Sequence, residues 1–238
     1  MFTVALIGPD GAGKTTVARR LDGALPMPVE YVYMGVNPDS SNHMLPTTRL
    51  LHALKRARGA PADTAGPRDP ALATRAPQGN RIRRALRVVR SFLRLANRIA
   101  EEWHRQLVAR RHVRRGSIVV FDRHYFADYY AYDIAHTAKR SATRRLHGFL
   151  LSRLYPQPDL VIYLDAPPEL LLARKGEGTL ESLGRRRHDY LELAKVMKNF
   201  VVVDASRSTD EVTAEVVELV RAFPAASNAG SSMPPADG

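Results

Sequence analysis

The chain has 238 residues, 36 basic and 24 acidic side chains, a formal charge of +12 and 45 % hydrophobic residues. That balance fits one globular domain, or one domain with an insertion, and excludes a wholly disordered chain or a minimal peptide scaffold. Cysteine is absent, which removes disulfide frameworks, thiolate zinc sites, iron–sulfur clusters and cysteine nucleophiles, and fits a reducing cytoplasm.

No stretch approaches the ~18 uninterrupted apolar residues of a membrane span. The opening MFTVALIG has no basic region ahead of its apolar run, so it reads as a first strand rather than a signal peptide. The charge excess is local. Residues 49–115 hold 18 basic and 4 acidic residues, whereas the rest of the chain holds 18 and 20. A nearly neutral domain therefore carries a very basic segment, which points to an anionic partner: a phosphorylated substrate, nucleic acid or an acidic membrane surface. Arginine outnumbers lysine 30 to 6, a bias that a GC-rich genome also produces.

In chain order, residues 2–7 predict a strand and 14–24 a helix, followed by a strand over 29–34. Residues 59–80, dense in Pro, Gly and Ala, read as a mobile insertion. Residues 81–112 predict a long helix. Ile82, Ala85, Leu86, Val89, Leu93, Ala96, Ala100, Trp103 and Leu107 form its apolar stripe, expected to be buried. Arg83, Arg84, Arg87, Arg90, Arg94 and Arg98 occupy much of its remaining surface. Strands over 117–121, 159–164 and 199–203 alternate with helices over 139–153, 167–174, 185–198 and 208–222. Residues 224–238 read as a disordered tail. The five strands are apolar on nearly every position, as strands covered on both faces of a parallel sheet are. The expectation is one α/β domain over 1–223, with a five-stranded parallel sheet and helices on both faces.

Between the first strand and the first helix stands Gly8-Pro9-Asp10-Gly11-Ala12-Gly13-Lys14-Thr15-Thr16, the pattern G-x-x-x-x-G-K-[ST] in its required context. Glycines let successive backbone N–H groups converge on phosphate oxygens, and the helix start adds its positive dipole end. Lys14 supplies a cation to the terminal phosphates and the Thr15 hydroxyl a hard oxygen ligand for Mg²⁺. A second constellation is IVVFDRH. Asp122, at the tip of a buried strand, suits a Mg²⁺-organising carboxylate, and Arg123 a bidentate phosphate clamp. Asp165, ending DLVIYLD before Ala166-Pro167-Pro168-Glu169, competes with it but reads more readily as a cap or structural residue. The third is a lid over about 174–187, from Arg174-Lys175-Gly176-Glu177-Gly178 to Gly184-Arg185-Arg186-Arg187. Its arginines suit a closing segment that excludes water and neutralises the transferring group.

These residues together resemble the thymidylate kinase family, within the P-loop nucleoside monophosphate kinases. GPDGAGKTT is similar to that family's phosphate loop, and FDRHYFADYYAYD to its Asp-Arg-Tyr segment. PDLVIYLDAPPELLLAR and RRRHDYLEL through FVVVDASRSTDEV are similar to its second half. The resemblance covers about residues 1–24 and 94–222. It implies a P-loop NTPase fold with a lid, an ATP·Mg²⁺ donor and dTMP as acceptor. Carried over position by position, Gly8, Asp10, Gly11, Ala12, Gly13, Lys14, Thr15, Thr16, Arg174 and Ser206 would line the ATP site, with Arg174 near the adenine. Asp10 would also face the acceptor sugar. Arg123 would grip the acceptor phosphate, with Asp122 its acidic neighbour, and Arg98 would contact the acceptor base. Thr15 and Asp122 would hold the metal. Gly11 in place of a basic residue beside Asp10 resembles members whose catalytic arginine comes from the lid, here Arg185, Arg186 or Arg187.

Three positions depart from the family. The Arg-Glu-Pro-Gly-Gly segment after the second strand is replaced by residues 34–43, MGVNPDSSNH. Arg94 stands where an aromatic residue stacks on the base, and an arginine also stacks on bases. His124 replaces a tyrosine. Two other readings stay open. In one, a kinase of this fold uses a hydroxyl acceptor, with Asp10, Asp122, Glu101 or Glu102 as base. In the other, an ATP-switched protein binds an anionic polymer or membrane surface. Nucleic acid is the weaker of these partners, because the arginines lack interleaved aromatics. A cytoplasmic location and a homodimer complete the expectations.

Overall fold

The computed structural model describes residues 1–35, 41, 43–57, 81–135 and 141–229. The insertion expected over 59–80 lies outside them. They divide into two compact units. One comprises Met1–Tyr31, Val113–Asp122 and Pro158–Gly238, the other Val32–His112 and Arg123–Gln157.

The first unit is built on the sheet. Strands β1 (Thr3–Ile7), β2 (Val29–Tyr33), β3 (Ile118–Asp122), β4 (Leu160–Asp165) and β5 (Phe200–Asp204) stand in the order β2-β3-β1-β4-β5. Pairing is parallel between β1 and β3, β1 and β4, and β4 and β5. Every residue of β3 is buried, as are Val4–Ile7 and Leu160–Leu164, which explains why these strands read as unbroken apolar runs rather than alternating ones. Helices α1 (Lys14–Arg20) and α8 (Thr209–Ala229) lie on the sheet. Val17, Ala18 and Leu21 share a core with Val4 and Leu6 of β1, Ile118 and Val120 of β3, and Leu160, Ile162 and Leu164 of β4. Val212, Val216 and Val220 of α8 belong to the same core. Helices α6 (Pro168–Lys175) and α7 (Leu180–Glu192) follow β4. A capping box between Thr179 and Ser182 starts α7, satisfying backbone N–H groups that a helix start leaves open. Helix α8 runs to Ala229, into the segment expected to form the tail; residues 230–238 lie outside the described ones.

The second unit is helical: α2 (Pro46–Ala57), α3 (Arg81–Arg114), α4 (Tyr125–Tyr129), a π-helical turn (Tyr130–Ala135) and α5 (Ala142–Arg153). Here one expectation is overturned. Most of the apolar stripe of α3 is not buried: Ile82, Leu86, Val89, Leu93 and Leu107 are each more than half exposed, and Phe92 is exposed too, whereas Trp103 is half-buried against Tyr155. The inward face carries Leu95, Glu101, Glu102, Arg105, Gln106 and Ala109 instead. Those polar groups are tolerated because they are bonded to one another and to neighbours, which offsets the cost of desolvation.

Candidate active site

The phosphate loop leaves β1 at Gly8, whose φ of 144° and close approach to the Leu164 carbonyl, 2.7 Å from where a Cβ would stand, admit no side chain. Gly13, at φ 87°, is the N-cap of α1. Lys14 is buried, and its Nζ donates to the Pro9 carbonyl at 2.7 Å, holding the ammonium inside the loop. Ala12 is buried in the core, while Thr16 faces solvent. Thr15 reaches across to β3: its hydroxyl donates to Asp122 Oδ2 at 2.6 Å, and the Tyr31 hydroxyl donates to the same oxygen at 2.7 Å. Asp122 is fully buried, and its Oδ1 has no hydrogen-bond partner among the described residues. A buried carboxylate oxygen left open beside a threonine hydroxyl is a fit for a hard divalent cation whose other ligands are phosphate and water. Consistent with so few protein ligands, no group of three or more acidic or imidazole side chains is gathered for a metal among the described residues.

Asp122, Asp165 and Asp204 end β3, β4 and β5 at the same edge of the sheet, where ligands bind in folds of this kind. They do different things. Asp165 accepts two hydrogen bonds from Arg187, 2.8 Å from Nε and 2.7 Å from Nη2, and one from the Tyr163 hydroxyl at 2.9 Å. The Arg187 guanidinium holds its carboxyl below the usual carboxylate range. Asp165 thus anchors α7 to the sheet. Asp204 accepts from the Ser206 backbone N–H at 2.9 Å, and Ser206 is exposed in the turn after β5. Arg174 donates to the neighbouring Ala205 carbonyl at 2.9 Å. Its Cβ lies 3.7 Å from the position a Cβ on Gly11 would take, so the phosphate loop, α6 and the 205–206 turn adjoin.

The lid residues meet the loop at Asp10. Its carboxylate stands 3.7 Å from Arg186 Nη1 and 3.9 Å from Lys175 Nζ. Arg185 is exposed on α7. The three consecutive arginines therefore separate: Arg187 bonds to the sheet, Arg186 faces the phosphate loop, and Arg185 points to solvent.

The acceptor-side candidates belong to the second unit. Arg98 lies over the ring of Tyr129, 4.7 Å from its centroid, within cation–π range. Tyr129 in turn packs edge-on against His147, with centroids 4.9 Å apart. His147 is buried between two carboxylates: Nδ1 is 2.7 Å from Asp133 Oδ2 and Nε2 is 3.3 Å from Glu102 Oε2, which also accepts from Tyr155 at 2.8 Å. Burial pulls the His147 pKa down, but the hydrogen bonds to Asp133 and Glu102 outweigh it and hold it above 6.5. Arg94 is exposed. Arg123 has a positive φ of 69°, uncommon for a residue with a Cβ, and its Cδ lies 2.8 Å from where a Cβ on Gly35 would stand. His124 is wholly buried, and desolvation lowers its pKa to about 3, so the imidazole is neutral.

Sequence reasoning missed three of these contacts. Tyr31 reads as an ordinary strand aromatic, yet it shares Asp122 with Thr15. Lys175 reads as part of the lid's basic cluster, with nothing to pair it with Asp10. Arg105 reads as one more arginine of the basic segment, yet it is buried, donating to the Gly35 carbonyl at 2.8 Å, Glu101 at 2.9 Å and the Ser41 hydroxyl at 3.2 Å. It holds Gly35 and Ser41, two residues of the stretch that departs from the family. Only the spacing Glu101-x-x-x-Arg105 hints at this.

A parallel sheet of this order, with a lysine-bearing phosphate loop after its first strand and a buried carboxylate at the tip of the third, defines a P-loop nucleotide-binding protein. The thymidylate kinase family model matches residues 71–216, and the chain belongs to that family and is an ATP-dependent phosphotransferase. It is 30 % identical over 233 residues to a probable thymidylate kinase of Pyrobaculum aerophilum, covering 93 % of this chain and 97 % of that one. It is 37 % identical over 117 residues to a probable thymidylate kinase of Archaeoglobus fulgidus, and 30 % identical over 115 residues to probable thymidylate kinase 1 of Saccharolobus solfataricus. Those two matches span 45 % and 46 % of this chain and 55 % and 57 % of the relatives' lengths.

Proposed function

We propose that the chain transfers the γ-phosphoryl group of ATP to a nucleoside monophosphate, and that the acceptor is dTMP. The observation that carries this reading is the buried Lys14 beside a Thr15 hydroxyl bonded to the Asp122 carboxylate, and membership of the thymidylate kinase family supports the choice of acceptor. A hydroxyl acceptor needs a base positioned against it. Two of the carboxylates considered for that role are engaged in buried structural bonds, Glu101 with Arg105 and Thr48 and Glu102 with Tyr155.

The transferring group is already an anion, and so is a monophosphate acceptor. Catalysis is then positioning and charge neutralisation. The backbone of Gly8–Gly13 cradles the ATP phosphates, Lys14 leaves the Pro9 carbonyl to reach their terminal oxygens, and Thr16 completes the loop. Thr15 and Asp122 are the residues that would hold Mg²⁺, which would offset the negative charge of the phosphates. Arg174 and Ser206 bound the adenine end. Arg186 neutralises the group in flight, while Arg187, held by Asp165, sets the position of the helix that carries it. Arg123 takes the acceptor phosphate, Arg98 and Arg94 the base, and Asp10 the sugar. A cytoplasmic location, where ATP is available, suits this reading. A homodimer accords with it as well.

ADP release with ATP and Mg²⁺ against dTMP, dUMP, other monophosphates, nucleosides and sugars tests the proposal, with Lys14→Ala as control. The expected result is turnover greatest with dTMP and lost in Lys14→Ala, whose fold is retained. Turnover on a nucleoside or sugar with none on dTMP would overturn the acceptor. Unchanged turnover in Lys14→Ala would overturn the phosphate-loop site itself.

A further inference from the structure

Asp122 is held from two elements at once. The Thr15 hydroxyl of α1 and the Tyr31 hydroxyl of β2 both donate to its Oδ2, at 2.6 Å and 2.7 Å. A carboxylate oxygen carries two lone pairs, so two donors fill Oδ2. Oδ1 is buried and has no hydrogen-bond partner among the described residues. Buried polar atoms are as a rule bonded to something. The Thr15 hydroxyl belongs to the phosphate loop in any case; the Tyr31 hydroxyl does not, and its aim at Asp122 calls for a reason.

Rotation about the bond to a carboxylate group is soft. One hydrogen bond therefore fixes an oxygen but lets the plane of the group swing. Two donors that reach the same oxygen from a helix and from a strand remove that freedom, and the other oxygen is left facing one way. The Asp122 side chain is fully buried, and a hydrogen bond to an ionised group away from water is about twice as strong as one between neutral groups. The tyrosine ring is placed independently of this bond. It packs against the hydrophobic core of the sheet, and the Arg19 guanidinium lies 6.0 Å from its centroid. Packing sets the ring, and the ring aims the hydroxyl. A phenylalanine at this position would keep the ring and lose the donor.

We infer that Tyr31 is a positioning residue for the metal: with Thr15 it saturates Oδ2 of Asp122 and so keeps Oδ1 open for the cation. It acts through Asp122 and not on the nucleotide. The inference rests on the reading of Thr15 and Asp122 as the residues that would hold Mg²⁺. Hydrogen-bond partners that orient a metal ligand are worth about 10- to 100-fold in metal affinity.

Calorimetric titration of the full chain with a non-hydrolysable ATP analogue, once in excess EDTA and once in excess Mg²⁺, tests this without reference to turnover. The ratio of the two dissociation constants reads what the metal adds to binding. The value in EDTA reads the phosphate loop without it. The expected result is tighter binding with Mg²⁺ in the parent, a ratio about 10-fold smaller in Tyr31→Phe, and the same affinity in EDTA for both chains. In a chain that already carries Asp122→Asn, Tyr31→Phe should lower the ratio no further, because the two residues act as one unit. An unchanged ratio in Tyr31→Phe would overturn the inference. So would an equal loss of affinity with and without Mg²⁺, which would make the hydroxyl a support of the fold alone, or a further fall of the ratio in the Asp122→Asn chain. A parent that binds the analogue equally well in EDTA and in Mg²⁺ would overturn the metal reading of the site, and the inference with it; that failure shows in the parent chain, before any substitution is made.

Discussion

Three consecutive arginines on α7 face three environments, and the difference is measurable. Arg187 makes two short bonds to Asp165, but its side chain is 39 % exposed. Its loss should cost stability only about 1 kcal/mol, because solvent screens the pair. Arg186 lies 3.7 Å from Asp10 in the phosphate loop. If it neutralises the transferring group, Arg186→Ala should lower kcat by roughly 10²-fold or more with stability almost unchanged. Arg185→Ala should change neither much. Steady-state kinetics beside denaturant unfolding of the three variants separates the roles, and a largest kcat loss in Arg185→Ala would move the reacting group to the other side of the helix. At this scale the sequence exposes the donor site well, because Lys14, Thr15 and the phosphate-loop glycines are fixed relative to one another by a single turn of chain. It cannot tell Arg186 from its neighbours, since a rotation of about 100° per residue is invisible until the helix has a phase. Nor does it separate Asp122 from Asp165. Both end buried strands, and only the partners, a threonine hydroxyl for one and a guanidinium for the other, distinguish them.

The elements divide in the same way. Each of the five strands falls within about a residue of its expected range, because a strand buried on both faces needs an uninterrupted apolar run and little else in this chain has one. Helix α2 is absent from the expected elements, although Pro46 at its first position and Leu50 and Leu54 on one face are fair signals. The π-helical turn over Tyr130–Ala135 has no sequence signature of that kind. It is imposed by packing, and α5 shows where: a Cβ on Gly148 would collide with the Asp133 carbonyl oxygen, a backbone atom that cannot step aside. Gly184 of α7 has nothing within 4 Å of the same position. Helix propensity alone favours alanine over glycine by about 1 kcal/mol in both helices. Gly184→Ala should therefore gain up to about 1 kcal/mol, whereas Gly148→Ala should lose about 3 kcal/mol or more as the steric term reverses the sign. Chemical denaturation of the two variants decides it, and a stabilised Gly148→Ala would mean that the π-helical turn yields easily. The apolar stripe of α3 shows the converse error. Periodicity reveals that a helix has an apolar face, but not that the protein's own interior is what covers it. A buried polar face such as Glu101-Glu102-Arg105-Gln106 looks like surface until its partners are placed.

For the whole molecule, two buried histidines give opposite pH dependences. His124 titrates at about 3 in the folded chain, against 6.5 for a free imidazole. Between those values the unfolded chain binds a proton that the folded chain does not, so this residue makes stability rise with pH. His147 lies above 6.5 when folded. From 6.5 upward to its raised value the folded chain holds the extra proton, so its contribution is complete below 6.5 and is lost as pH rises through the folded pKa. Each limb has a limiting slope of about 1.4 kcal/mol per pH unit. Asp165, whose carboxyl lies below 3.8, adds to the acid limb only at lower pH. The two histidines together place the maximum of stability near pH 6.5, and His147→Gln should separate them. The variant loses the imidazolium between Asp133 and Glu102, so its deficit against the parent should be largest below about pH 6.5 and shrink on the alkaline side, while the acid limb set by His124 keeps its slope. Urea unfolding of both proteins from about pH 5 to about pH 9 measures this. A deficit that stays constant across that range would mean that folding leaves the His147 pKa unshifted, and one that grows with pH would mean that the imidazole is neutral when folded.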